Sequence, residues 1–494
     1  MTLQEMFHSL EYSLVKGSIQ TEITHLTEDS RDVRDGSLFF IRRGFHTDGK
    51  KYLKEALEKG ARAVVCEAVD DALLGLLLDH EVCAVAVEDI DRAMRAAAGA
   101  FYNNPQQSLT LIGITGTKGK TTVSTLTGAL IGAMKQPVLL IGTNGIFIDG
   151  EQYEDGHTTP PLLSLYRYLE LGVKRGCRYA VIEVSSLAVK QGRIGGLLFD
   201  LGIFTNFHPD HIGDGEHASI EEYRGWKEAF LRSCRHCIIN IDDAWGRQLA
   251  AELCCPVTVY SVCREADFCA EDIRYQVNEG QLGCSYRIKG GFSGQITLSM
   301  PGVFNISNSL AVAAVAEWLN ARFDILQQVL GRAGVKGRCE MAAKVNGAYV
   351  MVDYAHNESS LEAVLAMVRA YEPARVICMY GCGGERSRLR RYGMGRISAV
   401  MADLTVLTQD NSRTEPFESI LSDIVKGISE KNGRFVTVPD RYEAIRYCIS
   451  IAQPGDFVLL LGKGHEEYQE TDGVRVPFSD LKAVLEIVQE RNRL

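Results

Sequence analysis

Short apolar runs recur along this chain, most of them separated by helix-length segments, and many end in a polar, glycine-bearing tip. From about position 108 to 335 they are "LTLIGIT", "VLLIGT", "YAVIEVSS", "DLGIFTNF", "HCIINID" and "VTVYS". Strands alternating with helices in this way specify a mostly parallel sheet covered on both faces. After "GVKGR" (Gly334 to Arg338) a second series begins, with "AYVMVDYAH", "RVICMYGCGG", "DLTVLTQDNSR", "RFVTVPD" and "DFVLLLGKGHE". Residues 1–107 carry "SLFFI", "ARAVVCE" and "VCAVAVED" around the helical "KKYLKEALEKG", and "YNNPQQ" breaks the pattern into turn residues. At 494 residues the chain exceeds what one core supports. The fold expected is α/β in three domains: 1–107, 108–335 with a central mostly parallel sheet and a P-loop-like nucleotide site, and 336–494 as a Rossmann-like α/β domain. Their functional tips are expected to face a common cleft. The helix "SNSLAVAAVAEWL" is expected to be amphipathic.

The first strand of the middle segment runs into "GITGTKGKTT" (Gly113 to Thr122) and then a helix. At such a junction backbone N–H groups cradle phosphate, a lysine neutralises it and a hydroxyl holds Mg²⁺. A strict P-loop needs a glycine where Ile114 stands, so the run is either a shortened phosphate loop or a glycine-rich turn. A net charge of −10 argues against a general nucleic-acid surface, so phosphate must be met by a local basic site. The fourteen cysteines are scattered, and the single CxxC (Cys234, Cys237) reads as buried reduced thiol rather than metal or redox chemistry. "MTLQEMFHSLEYS" lacks the apolar stretch of a signal peptide and no run reaches membrane-spanning length, which predicts a cytoplasmic chain without membrane insertion.

Other tips carry chemistry. Glu183 in "EVSS" and Asp210 and His211 in "TNFHPDH" end strands, where carboxylate and imidazole can complete a Mg²⁺ shell with the Thr121 hydroxyl. Singly, Glu183 is equally an ion-paired carboxylate and His211 a core histidine. "TTPP" (Thr158 to Pro161) precedes a helix, and its plain reading is a helix cap. Arg386 and Arg413 suit carboxylates and Glu466 suits an amine, together a pocket for a zwitterionic amino acid. The basic run Arg386 to Arg391, seen alone, is more simply a solvated face.

In order, "GTKGKTT", "HTTPP", "EVSS", "FTNFHPDH", "EYRGWKEAF", "GVFNISNSLA", "DYAH", "GCGGER", "DNSR" and "GKGHEEYQ" resemble the Mur ligases, of the MurE type, and "DSRDVRDGSLFFIRRGFHTDG" resembles that family's amino-terminal nucleotide-sugar domain. The resemblance implies a cytoplasmic ATP- and Mg²⁺-dependent amide ligase. It would add an amino acid, meso-diaminopimelate first, to UDP-N-acetylmuramoyl-L-alanyl-D-glutamate through an acyl phosphate in peptidoglycan synthesis, and act as a monomer. It implies that Gly116, Thr117, Lys118, Gly119, Lys120, Thr121 and Thr122 form the ATP loop. Lys120 would lie on the phosphates and Thr121 on Mg²⁺, with Glu183, His211 and Lys227, as a carbamate, as further metal ligands. Without the resemblance Lys227 reads as an exposed helix lysine. Asn305, Asn308 and Asp353 match ATP contacts. Ser30, Thr158, Thr159, Ser185, Gln191 and Arg193 match positions holding the UDP-sugar and its peptide stem. Arg386, Asp410, Asn411, Arg413, Gly462 and Glu466 match the pocket for the added amino acid.

The chain departs from the family pattern at several tips. Ser412 stands where diaminopimelate-adding members usually have proline, Leu187 where histidine is common, and His157 and Pro161 where asparagine and an acidic residue are common. These departures leave open a paralogue that ligates L-lysine or another amino acid, or that uses a different carboxylate acceptor. A nucleotide-binding scaffold without turnover is the alternative of a different class, and the presence of Lys120, Thr121, Glu183, His211 and Lys227 counts against it.

Overall fold

The computed structural model describes residues 1–42, 48–153, 155–209, 217–278, 281–332, 337 and 339–493. Asp210 and His211 lie outside them, as does most of the "GVKGR" boundary. The chain divides into two compact units, Met1–Phe268 with Ala311–Ile325, and Cys269–Leu310 with Leu326–Leu494.

The first unit holds two sheets. One has the strand order Ser13–Lys16, Cys83–Ala86, Ala61–Cys66, Ser37–Phe40, His25–Thr27, parallel except for its first strand. The turn expected at "YNNPQQ" is there: Asn103 and Asn104 adopt left-handed φ of 58° and 47°, and a single 3₁₀ turn, Pro105–Gln107, follows. The larger sheet runs Val257–Ser261, Cys237–Asn240, Leu201–Phe204, Thr110–Thr115, Tyr179–Glu183, Val138–Gly142, Gly145–Ile148, Glu151–Tyr153. Its first six strands are parallel. The last two form an antiparallel ribbon that the apolar-run pattern did not predict.

Thr110–Thr115 is central, and chain order departs to both sides of it, the arrangement that opens a crevice beyond the carboxyl ends of the strands. Register sets Glu183 opposite Ile114 and Phe204 opposite Thr115, so the tips after these three strands lie level. The strand is buried on both faces, and at Gly113 an added Cβ would come within 2.5 Å of the Phe230 ring.

The second unit holds a six-stranded sheet, Glu340–Val345, Ala348–Asp353, Phe457–Leu461, Val376–Tyr380, Leu404–Leu407, Phe435–Thr437. All but the first strand are parallel. Val350, Met351, Val352 and residues 458 to 461 are fully buried, as continuous apolar strands in a doubly covered sheet must be. Asp353 and Tyr380 both pair with Leu461, and Tyr380 pairs with Leu407. The loops carrying "DYAH", "GCGGER", "DNSR" and "GKGHE" therefore leave one edge. This unit also has two antiparallel features absent from the sequence reading: Gln281–Gly290 with Gly294–Leu298, and the ribbon Tyr468–Thr471 with Val474–Pro477.

The helix Val303–Trp318 corrects an expectation: positions 308 to 316 are buried without a break, so it is no surface amphipath. Its run of alanines lets neighbours approach from every side. Among the described residues no helix is long and apolar enough to cross a membrane.

Candidate functional site

The loop between the strand Thr110–Thr115 and the helix Lys120–Ala133 is shaped by two glycines at positive φ, a conformation that side chains rarely adopt. At Gly116 (φ +146°) an added Cβ would collide with the Thr205 hydroxyl, and Gly119 (φ +84°) is the left-handed residue at which the helix starts. No side chain caps that helix, so the N–H groups of its first turn form a ready anion cradle. The loop is held from below. Lys118 N donates to Asn206 Oδ1 at 2.9 Å, Thr205 and Asn206 donate to the Lys118 carbonyl, and Thr117 Oγ1 lies 3.1 Å from the Tyr223 hydroxyl.

Lys120 Nζ donates to the carbonyls of Gly116 (2.9 Å) and Thr117 (3.1 Å). Lys227, on the helix Ile220–Arg232, donates to the same Gly116 oxygen at 2.9 Å. It is 1% exposed and sits 4.6 Å from the centroid of the Tyr223 ring, which excludes the plain reading of an exposed helix lysine. Burial first, and the charge of Lys120 second, hold its amine well below the ordinary lysine range.

Glu183 ends its strand almost wholly buried. Its Oε2 accepts from the hydroxyls of Thr121 (3.0 Å) and Thr143 (3.1 Å), and its Oε1 from Thr143 N (3.0 Å) and Ser124 Oγ (3.3 Å). At Gly142 an added Cβ would fall on this carboxylate. A carboxylate ringed by hydroxyls at the start of the phosphate-loop helix is a hard-oxygen donor set, and its chemistry fits Mg²⁺. Among the described residues no group of three or more His, Cys, Asp or Glu is placed to hold a metal by itself. Ser124 and Thr143 were missed in the sequence, though Thr143 follows a strand end as directly as Glu183 does.

The residues matched to the sugar and stem continue from Glu183. Thr158 Oγ1 lies 3.2 Å from Thr143 Oγ1, and Thr159 Oγ1 donates to the Glu183 carbonyl at 2.7 Å. Arg193 donates to the Thr159 carbonyl and to Gln191 Oε1, and Ser185 caps the short helix Ser186–Lys190. The plain reading of "TTPP" as a helix cap is overturned: Pro161 occupies the N-cap of Leu162–Lys174 with no capping side chain, because the threonines are turned to Glu183 and Thr143. Arg42 ties the five-stranded sheet to this region through the Gln191 carbonyl at 2.6 Å. Ser30 donates to Glu55 Oε2 at 2.8 Å.

In the second unit, Asp410, Asn411 and Glu466 gather around a lysine that the sequence reading passed over, Lys463. Its Nζ contacts Asn411 Oδ1 (2.8 Å), the Tyr468 carbonyl (2.8 Å), Asp410 Oδ1 (3.2 Å) and Glu466 Oε2 (3.6 Å). Burial raises the Glu466 carboxyl above its ordinary range, with the Asp410 charge adding to it. Asp410 faces the same burial, yet Lys463 and Arg441 outweigh it and hold that carboxyl low. Gly462 has φ +110°, and a Cβ there would sit 2.8 Å from Asp410 Oδ2.

Arg413, at a left-handed φ of 53°, donates to the Gly384 carbonyl at 2.7 Å and so staples "DNSR" to "GCGGER". The run Arg386 to Arg391 is only partly a solvated face. Arg386 is exposed, but Arg391 is 1% exposed and grips Glu415 with two bonds of 2.6 Å. Asp353 is taken up by the N–H groups of Cys339 and Ala355, Asn305 donates to the Pro301 carbonyl, and Asn308 donates to Asn305 Oδ1.

Family models match three stretches: the Mur ligase family catalytic domain over residues 22–102, the Mur ligase middle domain over 114–316, and the Mur ligase glutamate ligase domain over 337–464. A UDP-N-acetylmuramoyl-L-alanyl-D-glutamate–2,6-diaminopimelate ligase of Clostridioides difficile is 36% identical, the match covering 99% of this chain and 100% of that protein. A solved structure of a ligase of the same name has a TM-score of 0.70 at 28% identity, covering 100% of this chain and 99% of that one. MurF ligase from Thermotoga maritima in complex with ADP shares the fold, with a TM-score of 0.63 at 18% identity over 96% and 99% of the two chains. From the phosphate loop to the last strand tip, this chain belongs to the Mur ligase family and is MurE-like.

Proposed function

We propose that the protein is an ATP-dependent, ADP-forming acid–amino-acid ligase of peptidoglycan synthesis. It joins meso-diaminopimelate to UDP-N-acetylmuramoyl-L-alanyl-D-glutamate. The observation that carries the reading is the Gly116 loop, where two lysines converge on one carbonyl beside a carboxylate ringed by hydroxyls, in a chain similar over its whole length to a diaminopimelate ligase.

A free carboxylate is a poor acyl donor because oxide is a hopeless leaving group. The γ-phosphoryl group of ATP converts it to an acyl phosphate, which the incoming amine attacks, expelling phosphate. The open N–H groups at the start of the Lys120–Ala133 helix and the charge of Lys120 hold the transferring phosphoryl group. Thr121 and Glu183 would hold Mg²⁺, with His211 as the expected further ligand; when bound, the ion offsets charge on the phosphate oxygens. Lys227, whose amine its surroundings hold well below the ordinary lysine range, would take up CO₂ as a carbamate with release of a proton, which would add a carboxylate to this set. Thr158, Thr159, Ser185, Gln191 and Arg193 are assigned to the UDP-sugar and stem. Asp410, Asn411, Arg413, Gly462 and Glu466, with Arg386, are assigned to the amino acid. We assign residues 1–107, 108–335 and 336–494 as its sugar-nucleotide, ATP and amino-acid domains, in a cytoplasmic monomer.

Arg413 favours an added amino acid with a distal carboxylate over lysine, whose far end offers only an ammonium. Ser412 supports L-lysine or another amino acid as the second reading. Its N–H donates to the Asp410 carbonyl at 2.9 Å, a bond that proline cannot make. The deciding experiment is phosphate release with UDP-muramoyl-dipeptide and meso-diaminopimelate, lysine and ornithine in competition. Dominant product with diaminopimelate supports the first reading, dominance of another amino acid the second, and no product with any removes both.

A further inference from the structure

Lys463 is fully buried, yet its ammonium faces two carboxylates and an amide that are themselves assigned to substrate. Its contacts fix chemistry that Asn411 could not set alone. Asn411 Oδ1 is approached by two groups that only donate, Lys463 Nζ at 2.8 Å and Glu470 N at 3.0 Å. The oxygen must therefore face them, and Nδ2 is left to donate to Glu466 Oε2 at 2.9 Å. The ammonium and the Glu470 N–H together determine which end of the amide meets Glu466.

Charge follows the same geometry. Asp410 and Glu466 are two anions in one buried cluster and Lys463 is the cation in contact with both, leaving one net negative charge to receive a substrate ammonium. Arg441 is matched by Asp480 in a fully buried bidentate pair. The other polar groups facing Glu466 are Tyr354, whose hydroxyl donates to Oε1 at 3.3 Å, and, within electrostatic reach, Tyr468 and Arg475. Lys463 is the cation in direct contact with both carboxylates, and without it the repulsion from Asp410 pushes the Glu466 carboxyl further above its ordinary range.

We propose that Lys463 is a positioning residue for the amino-acid substrate: it helps to orient the Asn411 amide and sets a positive charge between Asp410 and Glu466, so that the cluster receives the substrate's ammonium. The proposal rests on the amino-acid-pocket reading above. It is specific enough to separate from a structural role, because loss of the charge alters how the pocket titrates as well as how tightly it binds.

The test is steady-state ligation by the full-length enzyme with meso-diaminopimelate, read as kcat/KM for the amino acid against pH and as KM for ATP, in Lys463→Met, Lys463→Gln and Lys463→Arg. The glutamine variant keeps a donor for Asn411 and loses the charge; the arginine variant keeps the charge. For Met and Gln the KM for diaminopimelate is expected to rise by about tenfold or more, KM for ATP to stay within about threefold, and the acid limb of the profile to move to higher pH. The Arg variant is expected to keep the wild-type limb. An unmoved acid limb in Lys463→Gln, or equal losses for ATP and amino acid, overturns the proposal; if Met fails to fold, the Gln and Arg variants decide. Product from wild type with unmoved variants removes only this role for Lys463. No product from wild type with any amino acid removes the pocket reading and this proposal with it.

Discussion

Lys120 and Lys227 donate to one acceptor, the Gly116 carbonyl, each from 2.9 Å. Two amines at one oxygen cannot both be comfortably charged, and the buried one gives way: burial and then Lys120 push Lys227 well below the ordinary lysine range. In the unfolded chain the same amine titrates normally. Between the lowered value and the ordinary one the unfolded state binds the extra proton, so folding stability rises with pH across that window. Lys227→Met removes this dependence. In metal-free, bicarbonate-free protein it is expected to stabilise by on the order of 1 kcal/mol near neutral pH, the gain shrinking towards about pH 10, with ligation abolished. Urea midpoints against pH provide the check, and a constant loss of stability at every pH would contradict it.

Glu183→Gln retains the size of the side chain but presents an amide nitrogen to hydroxyls that now donate to an anion. Phosphate release is expected to fall by about 10²- to 10³-fold, and to recover little with added Mg²⁺. A loss under tenfold would mean that the charge of Glu183 has no part in the reaction.

Gly462→Ala sets a Cβ 2.8 Å from Asp410 Oδ2 on a backbone at φ +110°. A destabilisation of about 1–3 kcal/mol is expected, together with a raised KM for the amino acid and an unchanged KM for ATP. Denaturant titration beside substrate kinetics reads both, and a variant with wild-type values on each count would show that the loop has room to shift.

Arg413→Lys keeps a positive charge and loses the planar fork. Discrimination between meso-diaminopimelate and L-lysine is expected to fall by about tenfold. Competition assays measure it, and unaltered selectivity would move recognition of the distal carboxylate away from Arg413.

Arg391 holds the Glu415 carboxyl down at about 2, its bidentate bonds being the main cause and outweighing burial. Because the folded value lies below the ordinary one, this contact stabilises the fold above about pH 4.5 and is lost as pH falls towards about 2. Glu415→Gln is expected to cost roughly 1–3 kcal/mol at neutral pH, where it leaves the buried Arg391 with Asp423 at 3.3 Å as its ionic partner, and less in acid. Acid unfolding curves of the two proteins should converge; parallel curves would exclude the linkage.

The strand cores and the tips after them were legible because a parallel α/β sheet writes each buried strand as an unbroken apolar run and each loop as a break in it. Every apolar run read as a strand between 108 and 335 is one, as are all five runs after 338. The antiparallel ribbons escaped because exposed strands such as Val474–Pro477 carry no such run. The burial of Lys227, Arg391 and Lys463 escaped for a related reason. A basic residue looks the same in sequence whether it meets water or a carbonyl, and only the partner tells them apart.

By itself, the sequence determined which apolar runs become strands, where the phosphate loop lies and which family the tips spell, since these follow from local patterns of polarity and from the placing of glycines. The tertiary structure alone decided that two lysines share the Gly116 oxygen, that hydroxyls from three separate segments close on Glu183, and that a buried ammonium orders Asp410, Asn411 and Glu466. Such contacts join residues many tens of positions apart, and their energies depend on burial and distance, which the order of residues along a chain does not contain.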